Sequence, residues 1–299
     1  MRAVKIITDS CSDLTPELLK EYNIDYVKMN TVFEGETKPA DLAWTEADVK
    51  KFYGTMRDGK RFTTTQVPVT EYDAVFRKYL EEGKDIVYVA CSIKQSGSVN
   101  TAIALSKKLL AEYPDAKIHC INSLRSCISE GMLAIEASKY AASGKDADEV
   151  ASYIRSKCNT VHEFATVHSL DYMKRAGRIK ASTAFFGNLF GVKPIIVSDA
   201  NGEQAAYKKV KGRQNSMHEI VMLLKEHIRE PEKQTVYLSH ADCDPEEVNQ
   251  LKQMIRNEIR CKDIHVSYIG PIIGATVGPD TIAVFGFGDE VTFKAGENE

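Results

Sequence analysis

IVYVACSIKQSGSVNTAIALSKKLLA, residues 86–111, changes character twice within 26 residues. Ile86–Ala90 is a continuous apolar run, the pattern of a strand buried on both faces. Ser92–Asn100 is short, polar and rich in hydroxyls, with Gly97 set between Ser96 and Ser98. Val99, Ala102, Ile103, Leu109 and Leu110 then recur at helical spacing. A strand, a small hydroxyl loop and a helix in that order place backbone N–H groups and hydroxyls around one spot, which suits an anion.

Outward from this unit the same alternation repeats. Val4–Ile7 ends in Thr8-Asp9-Ser10, and Thr15-Pro16-Glu17 opens a helix with a cap, a proline at the first position and an acid in the first turn. A second strand is predicted at Tyr26–Phe33. Thr45 with Asp48 predicts a capped helix through Met56, and Thr70 with Asp73 another, up to Gly83. Lys117–Ile121 reads as a strand, followed by helices from Ile128 to Gly144 and from Asp146 to Asn159. Strands alternating with helices imply a parallel sheet, whose ligands bind beyond the carboxyl ends of its strands. Four such ends carry Thr8-Asp9-Ser10, Thr64-Thr65-Gln66, Ser92 with Ser96-Gly97, and Asn122-Ser123.

Past residue 160 the pattern changes. Strand-like runs fall at Phe164–His168, Pro194–Ser198, Gln204–Val210, Thr235–Ser239, His265–Ile269 and Thr281–Phe285, with helices at Arg213–Arg229 and Asp244–Arg260. The prediction is an α/β protein of two domains. Residues 1–160 form a parallel-sheet domain carrying the hydroxyl site. Residues 161–299 form a smaller α/β domain with a mixed or antiparallel sheet, covering a cleft. A chain of 299 residues fits two cores of roughly 150 residues.

Composition removes several function classes. Net charge is −3 with no basic stripe, against a nucleic-acid partner. No apolar run reaches the roughly 20 residues of a membrane span, so stable membrane insertion is not expected. The first residues enter a strand with no signal-peptide core, pointing to the cytoplasm. Seven cysteines without a C-x-x-C read as buried reduced thiols. No phosphate loop, dinucleotide fingerprint or metal-ligand spacing occurs, so neither cofactor nor metal is expected.

Individual candidates carry two readings each. Asp9 is a base or nucleophile, or the cap of the first strand-to-helix turn. Ser96 is a catalytic serine, a donor to a ligand oxygen or a plain helix cap, and the seven scattered histidines offer no partner base from sequence. Arg178, after Gly177, pairs with an acid or faces a ligand anion. Phe185, Phe186, Leu189, Phe190 and Val192 are core residues or the lining or lid of an apolar tunnel. Lys208, Lys209, Lys211 and Arg213 are a solvated face or a docking patch. Gly270-Pro271 and Gly278-Pro279 predict a tight loop in which Thr276 adds a hydroxyl to a site.

The order of these motifs resembles the DegV family of bacterial fatty-acid-binding proteins. Thr8 to Leu14 is similar to its T-D-S-x-x-D-L, Thr64-Thr65-Gln66 to its T-S-Q, and Ser96-Gly97-Ser98 to its S-G-T. Asn122-Ser123 stands at its D-S, Leu170 to Ile179 at its L-x-x-L-x-x-x-G-R-I, and Gly270 to Asp280 at its closing G-P-x-x-G-A-H-T-G-P-G. The resemblance implies a long-chain fatty acid held between two domains, with its carboxylate on Thr64, Thr65, Ser96, Gly97, Ser98 and Thr276, and Arg178 and Phe186 as further ligand contacts. It implies no catalysis by the chain itself, and for some members a fatty acid kinase as partner. Thr276 occupies the place of a family histidine, so a neutral hydroxyl replaces a group able to carry charge. The competing functions are a serine hydrolase or small-molecule phosphotransferase using Ser96 or Asp9, and a binding module in which the loop only caps its helix.

Overall fold

The computed structural model describes residues 2–182, 185 and 191–296. Strand β1 (Val4–Asp9) opens the chain, and α1 (Pro16–Glu21) starts on Thr15, whose side chain accepts from the Leu18 N–H at 3.4 Å. Then come β2 (Ile24–Val27), β3 (Asn30–Phe33), β4 (Glu36–Pro39), α2 (Glu46–Arg57), β5 (Thr63–Thr65), α3 (Val69–Glu81), β6 (Asp85–Ala90), α4 (Ser98–Glu112), β7 (Ile118–Asn122), α5 (Ile128–Ala142) and α6 (Ala147–Lys157). The rest holds β8 (Val161–Thr166), α7 (Asp171–Ala176), β9 (Val192–Ser198), β10 (Gln204–Lys211), α8 (Arg213–His227), β11 (Thr235–His240), α9 (Pro245–Glu258), β12 (Asp263–Tyr268), α10 (Pro271–Val277) and β13 (Ile282–Phe287).

The chain divides into two compact units. The first combines Met1–Ala43 with Thr64–Cys158, the second Trp44–Thr63 with Asn159–Glu299. The step at residues 158 and 159 lies close to the expected boundary, but the segment carrying α2 goes with the second unit.

In the first unit the four-stranded sheet runs β2-β1-β6-β7, all parallel. Every residue of β6 is buried, as expected for a strand covered on both faces. The strand order reverses direction between β1 and β6, and the carboxyl ends of those two strands are where a doubly wound sheet opens a crevice. β3, β4 and β5 form a separate three-stranded sheet in the order β4-β3-β5. Two expectations therefore change. The single strand predicted at Tyr26–Phe33 breaks at Lys28-Met29 into β2 and β3, which belong to different sheets. Thr64 and Thr65 lie on β5 and not at an end of the parallel sheet.

In the second unit a six-stranded mixed sheet runs β10-β9-β8-β13-β11-β12, with only β11 and β12 parallel. Ile220 and Leu224 of α8 and Leu251 and Ile255 of α9 are buried with Val236, Leu238 and Val284 of the strands in one core. Two further readings are corrected. α3 starts on Pro68, whose φ of −63° and ψ of 146° suit a cap, so Thr70 is inside the helix and caps nothing. The expected tight loop between Gly270 and Pro279 is the helix α10, with Pro271 at its first position. Its glycines and prolines bound a helix, as their asymmetric preferences allow.

Candidate functional site

At the carboxyl end of β1, Asp9 is fully buried and both its oxygens are occupied. Oδ1 accepts from the Cys11 N–H at 2.9 Å, and Oδ2 from the Tyr88 hydroxyl at 2.8 Å and the Cys91 N–H at 3.1 Å. Burial pushes its pKa up, against the pull of these donors. Asp9 thus caps its own turn and ties the ends of β1 and β6 together. It is not placed to attack a substrate.

The other strand ends are spent in the same way. Thr8 Oγ1 lies within hydrogen-bond distance of the Val89 carbonyl oxygen, at 3.0 Å, and of Glu130 Oε1, at 2.8 Å. Ser10 Oγ accepts from the Met29 N–H at 3.0 Å. Asn122 Oδ1 accepts from the Ile93 N–H at 3.0 Å and Ser123 Oγ donates to the Arg125 carbonyl at 3.0 Å. Through these bonds Asn122 Oδ1 and Ser123 Oγ brace the loop.

What stays open is the loop between β6 and α4. The Ser92 carbonyl accepts from the N–H groups of Gln95 and Ser96, both at 2.9 Å, which turns the chain towards the helix. Ser96 Oγ and Ser98 Oγ are 2.9 Å apart, and Ser96 Oγ accepts from the Ser98 N–H at 3.2 Å. The Val67 N–H donates to Ser98 Oγ at 3.3 Å, and the Tyr72 hydroxyl to the Ser98 carbonyl at 3.0 Å. Tyr72 in turn lies 2.9 Å, hydroxyl to hydroxyl, from Tyr88, so the buried Asp9 is connected through two tyrosines to the start of α4. No side chain caps α4, and among the described hydrogen bonds the N–H groups of Gly97 and Val99 have no partner. A fifteen-residue helix therefore presents unsatisfied donors at its positive end.

β5 completes this end of the first unit. Thr64, Thr65, Gln66 and Gly97 are exposed and Ser96 is half-buried. Thr65 Oγ1 accepts from Asn30 Nδ2 at 3.2 Å. Gln66 packs onto the loop so closely that a Cβ on Gly97 would stand 2.6 Å from Gln66 Oε1. The structure thus sets Gln66 and Val67, which follow Thr64 and Thr65 in the chain, against Gly97 and Ser98. Sequence reading placed Gln66 with Thr64 and Thr65 but missed Tyr72 and Tyr88 as the supports; the two tyrosines look like ordinary core residues until their hydroxyls are followed.

Among the described residues Ser96 has no hydrogen bond to a histidine, lysine or carboxylate; its partners there are Ser98 and the Ser92 carbonyl. A nucleophilic serine needs an adjacent base, and none of the described side chains supplies one to Ser96.

In the second unit Thr276 is half-buried near the end of α10. Arg178 follows Gly177, whose φ of +67° ends α7 in the left-handed conformation, and its guanidinium donates to the Ala176 carbonyl at 2.8 Å. α2 brings an aromatic group: Phe52 lies 4.3 Å from Phe62 and 5.6 Å from Trp44, centroid to centroid. Phe186 lies outside the described residues.

The comparisons with known proteins agree with this architecture. A family model described as an uncharacterised protein of the DegV family matches residues 3–288. The chain belongs to the DegV family. A DegV domain-containing protein of Clostridium perfringens is 34% identical over 289 residues, 97% of this chain and 99% of that one. Among solved structures, a DegV lipid binding protein from Thermotoga maritima is 26% identical and matches with a TM-score of 0.84, covering 97% of this chain and all of its own. DegV from Bacillus subtilis, a fatty acid binding protein, has a TM-score of 0.82 over 96% of this chain; at 22% identity it shows that the DegV fold is shared. No helix among the described residues of this DegV chain is long and apolar enough to cross a membrane.

Proposed function

We propose that this DegV chain binds a long-chain fatty acid as a carrier without catalysis of its own, and receives its carboxylate on Thr64, Thr65, Ser96, Gly97 and Ser98. One observation carries the proposal: the N–H groups of Gly97 and Val99, which have no partner among the described hydrogen bonds, stand at the start of α4 beside the half-buried Ser96. The lipid-binding relative, alike over the whole chain, supports the ligand class. A carboxylate gains roughly 1.5–3 kcal/mol from each hydrogen bond in which it is the charged partner. Each buried methylene of the tail contributes about 0.8 kcal/mol before ordering costs, so the tail supplies most of the affinity and the hydroxyls set its direction.

Mass spectrometry of a solvent extract of the purified protein tests this directly, with co-purifying C14–C18 acids as the expected outcome. Ser96→Ala weakens fatty acid binding about tenfold, the loss of one such bond. Thr276→Ala and Arg178→Gln are expected to weaken it as well. A clean extract from protein that also fails to take up added acids sinks the proposal.

We further propose that a fatty acid kinase phosphorylates the bound acid, in the cytoplasm. The exposure of Thr64, Thr65 and Gly97 supports a reachable carboxylate, and seven free cysteines support a reducing compartment. Loaded protein with kinase and ATP then yields an acyl phosphate that hydroxylamine traps, and loaded protein with ATP alone yields none. Trapped product without the kinase overturns the carrier reading.

A further inference from the structure

In the second unit, hydrogen-bond donors gather where β8 ends and α8 begins. The pairing of β8 with β9 sets Thr166 opposite Ile195, and the same register places His168 opposite Lys193. Directly opposed residues share a face of a sheet, and so do residues two apart on one strand. Thr166, His168 and Lys193 therefore lie on the face that Ile195 turns to Met217 and Ile220 of α8. Lys193 Nζ donates to His168 Nδ1 at 3.2 Å, as that register allows. An ammonium group only donates, so Nδ1 accepts and the ring proton is on Nε2.

α8 runs back over this face. Its last residue, His227, stacks on His162 near the start of β8, with centroids 4.7 Å apart. From His227 to Arg213 at about 1.5 Å per residue, and from His162 to His168 at about 3.3 Å per residue, the chain covers roughly 20 Å either way, so α8 begins beside His168. The first residue of α8 agrees: Arg213 Nη2 donates at 2.8 Å to the carbonyl of Asp280, which the register of β13 on β8 sets opposite His168. Arg213 Nε and Nη2 also hold Glu247, at 3.2 and 3.0 Å. Its Nη1 is buried without a hydrogen-bond partner, and so is the hydroxyl of the fully buried Thr166. The fifteen-residue α8 starts on Gly212 with no side-chain cap, and among the described hydrogen bonds the N–H groups of Arg213 and Gln214 have no partner.

We propose that Arg213, Lys193, His168 and Thr166, with the first turn of α8, bind a phosphate group, either free or as a monoester. The open positions decide the class, because each is a donor: Nη1 of Arg213, the other N–H groups of Lys193, Nε2–H of His168 and the Thr166 hydroxyl. A buried donor without a partner costs free energy, and one tetrahedral oxyanion can accept from several at once. These donors come from two strands and a helix start, so they approach from different sides. A tetrahedral phosphate meets them better than a planar carboxylate, which has two oxygens in one plane. Charge points the same way. Burial lowers the pKa of His168, and Lys193 and Arg213 lower it further; burial and then Arg213 lower that of Lys193. The nearby carboxylates only partly offset these cations: Asp280 Oδ1 is held by Arg57 at 2.6 Å and Glu247 by Arg213. A dianion relieves the repulsion that remains. His168 is exposed, so solvent reaches the site and an ester substituent has a way out.

The test is calorimetric titration of the full chain at constant ionic strength and about pH 8, where phosphate is a dianion, with inorganic phosphate and separately with phenyl phosphate. Expected is one ligand per chain, with a dissociation constant below about 1 mM for at least one of the two. Tighter binding of the first assigns the site to free phosphate, and of the second to a phosphate ester. Lys193→Gln weakens binding about tenfold or more. Thr166→Val keeps the shape of the side chain and weakens binding about fivefold. It leaves the urea midpoint of the ligand-free chain as high as the parent's or higher, because the hydroxyl it removes has no partner there. Absence of saturable binding of either probe up to about 20 mM overturns the proposal. So does an affinity that either substitution leaves unchanged, or a lower ligand-free midpoint in Thr166→Val, which would give the hydroxyl a structural role.

Discussion

Gly97 and Gly131 are both crowded, and the identity of the crowding atom separates them. Gly97 has φ −76° and ψ 0°, ordinary helical values, so its backbone demands no glycine. A Cβ there meets only Gln66 Oε1, the far end of an exposed side chain. Gly97→Ala is therefore expected to leave the unfolding midpoint within about 0.5 kcal/mol of the parent, while it pushes the Gln66 carboxamide away and weakens fatty acid binding. Gly131 is inside α5, where alanine is favoured by about 1 kcal/mol. Its Cβ, however, would stand 2.7 Å from the backbone oxygen of Ser12 and 2.8 Å from Leu14 Cδ2. Overpacking against backbone costs roughly 1–3 kcal/mol and outweighs propensity. Gly131→Ala should lower the urea midpoint at unchanged slope; a variant as stable as the parent would show that the turn after β1 yields easily. Only the structure separates the two cases, because both look like small residues beside a helix start.

Helix α2 shows which features of an element are local and which are not. Its start was readable because a capping box is made by neighbours: Thr45 Oγ1 accepts from the Asp48 N–H at 3.2 Å, and Asp48 Oδ2 accepts from the Thr45 N–H at 2.8 Å. Its allegiance was not readable. The Tyr53 hydroxyl donates to the Ile269 carbonyl at 2.7 Å, the Arg57 guanidinium reaches Asp242 and Asp280, both at 2.6 Å, and Tyr172 donates to the Met56 carbonyl at 3.2 Å. Those partners lie more than a hundred residues away and no periodicity announces them. A Cβ on Gly274 of α10 would collide with the same Tyr53 hydroxyl, so glycine there makes room for it. Tyr53→Phe keeps the ring and leaves the Ile269 carbonyl without this donor, at a cost of about 1–3 kcal/mol. Thr45→Ala, which loses an exposed cap, costs about 1 kcal/mol. The ratio of the two in urea unfolding checks the claim; equal effects would mean that water replaces the tyrosine.

At the scale of the molecule, alternating strands and helices were enough to foresee the parallel sheet, because each buried strand declares itself locally by an apolar run. The candidate site was half legible: Thr64, Thr65 and Ser96 to Ser98 stand out as hydroxyl clusters, whereas their supports act through hydroxyls buried among core atoms. Least legible were the ionisable groups the fold buries, and these set how stability depends on pH. Glu130 is fully buried, burial raises its pKa well above the ordinary carboxyl value of 4.5, and its Oε2 has no hydrogen-bond partner. The folded chain thus keeps a proton that the unfolded chain loses, and Asp9 acts in the same direction. Stability is lost as pH rises above about 4.5, through the folded pKa of Glu130. His240 does the opposite. Burial lowers it from 6.5 to about 4, and its Nδ1 accepts from the Cys243 N–H at 3.3 Å, as the neutral ring requires. The unfolded chain takes up that proton first, so stability falls as pH drops from 6.5 towards 4, by up to about 3 kcal/mol at roughly 1.36 kcal/mol per unit. Urea unfolding from pH 4 to 9 separates the two. Glu130→Gln is expected to flatten the decline on the alkaline side only, and His240→Asn, whose side-chain oxygen can still accept from Cys243, the decline below pH 6.5 only. If either substitution shifts the whole curve without changing its shape, that group is ionised to the same extent in the folded and unfolded chains, and the burial argument for it fails.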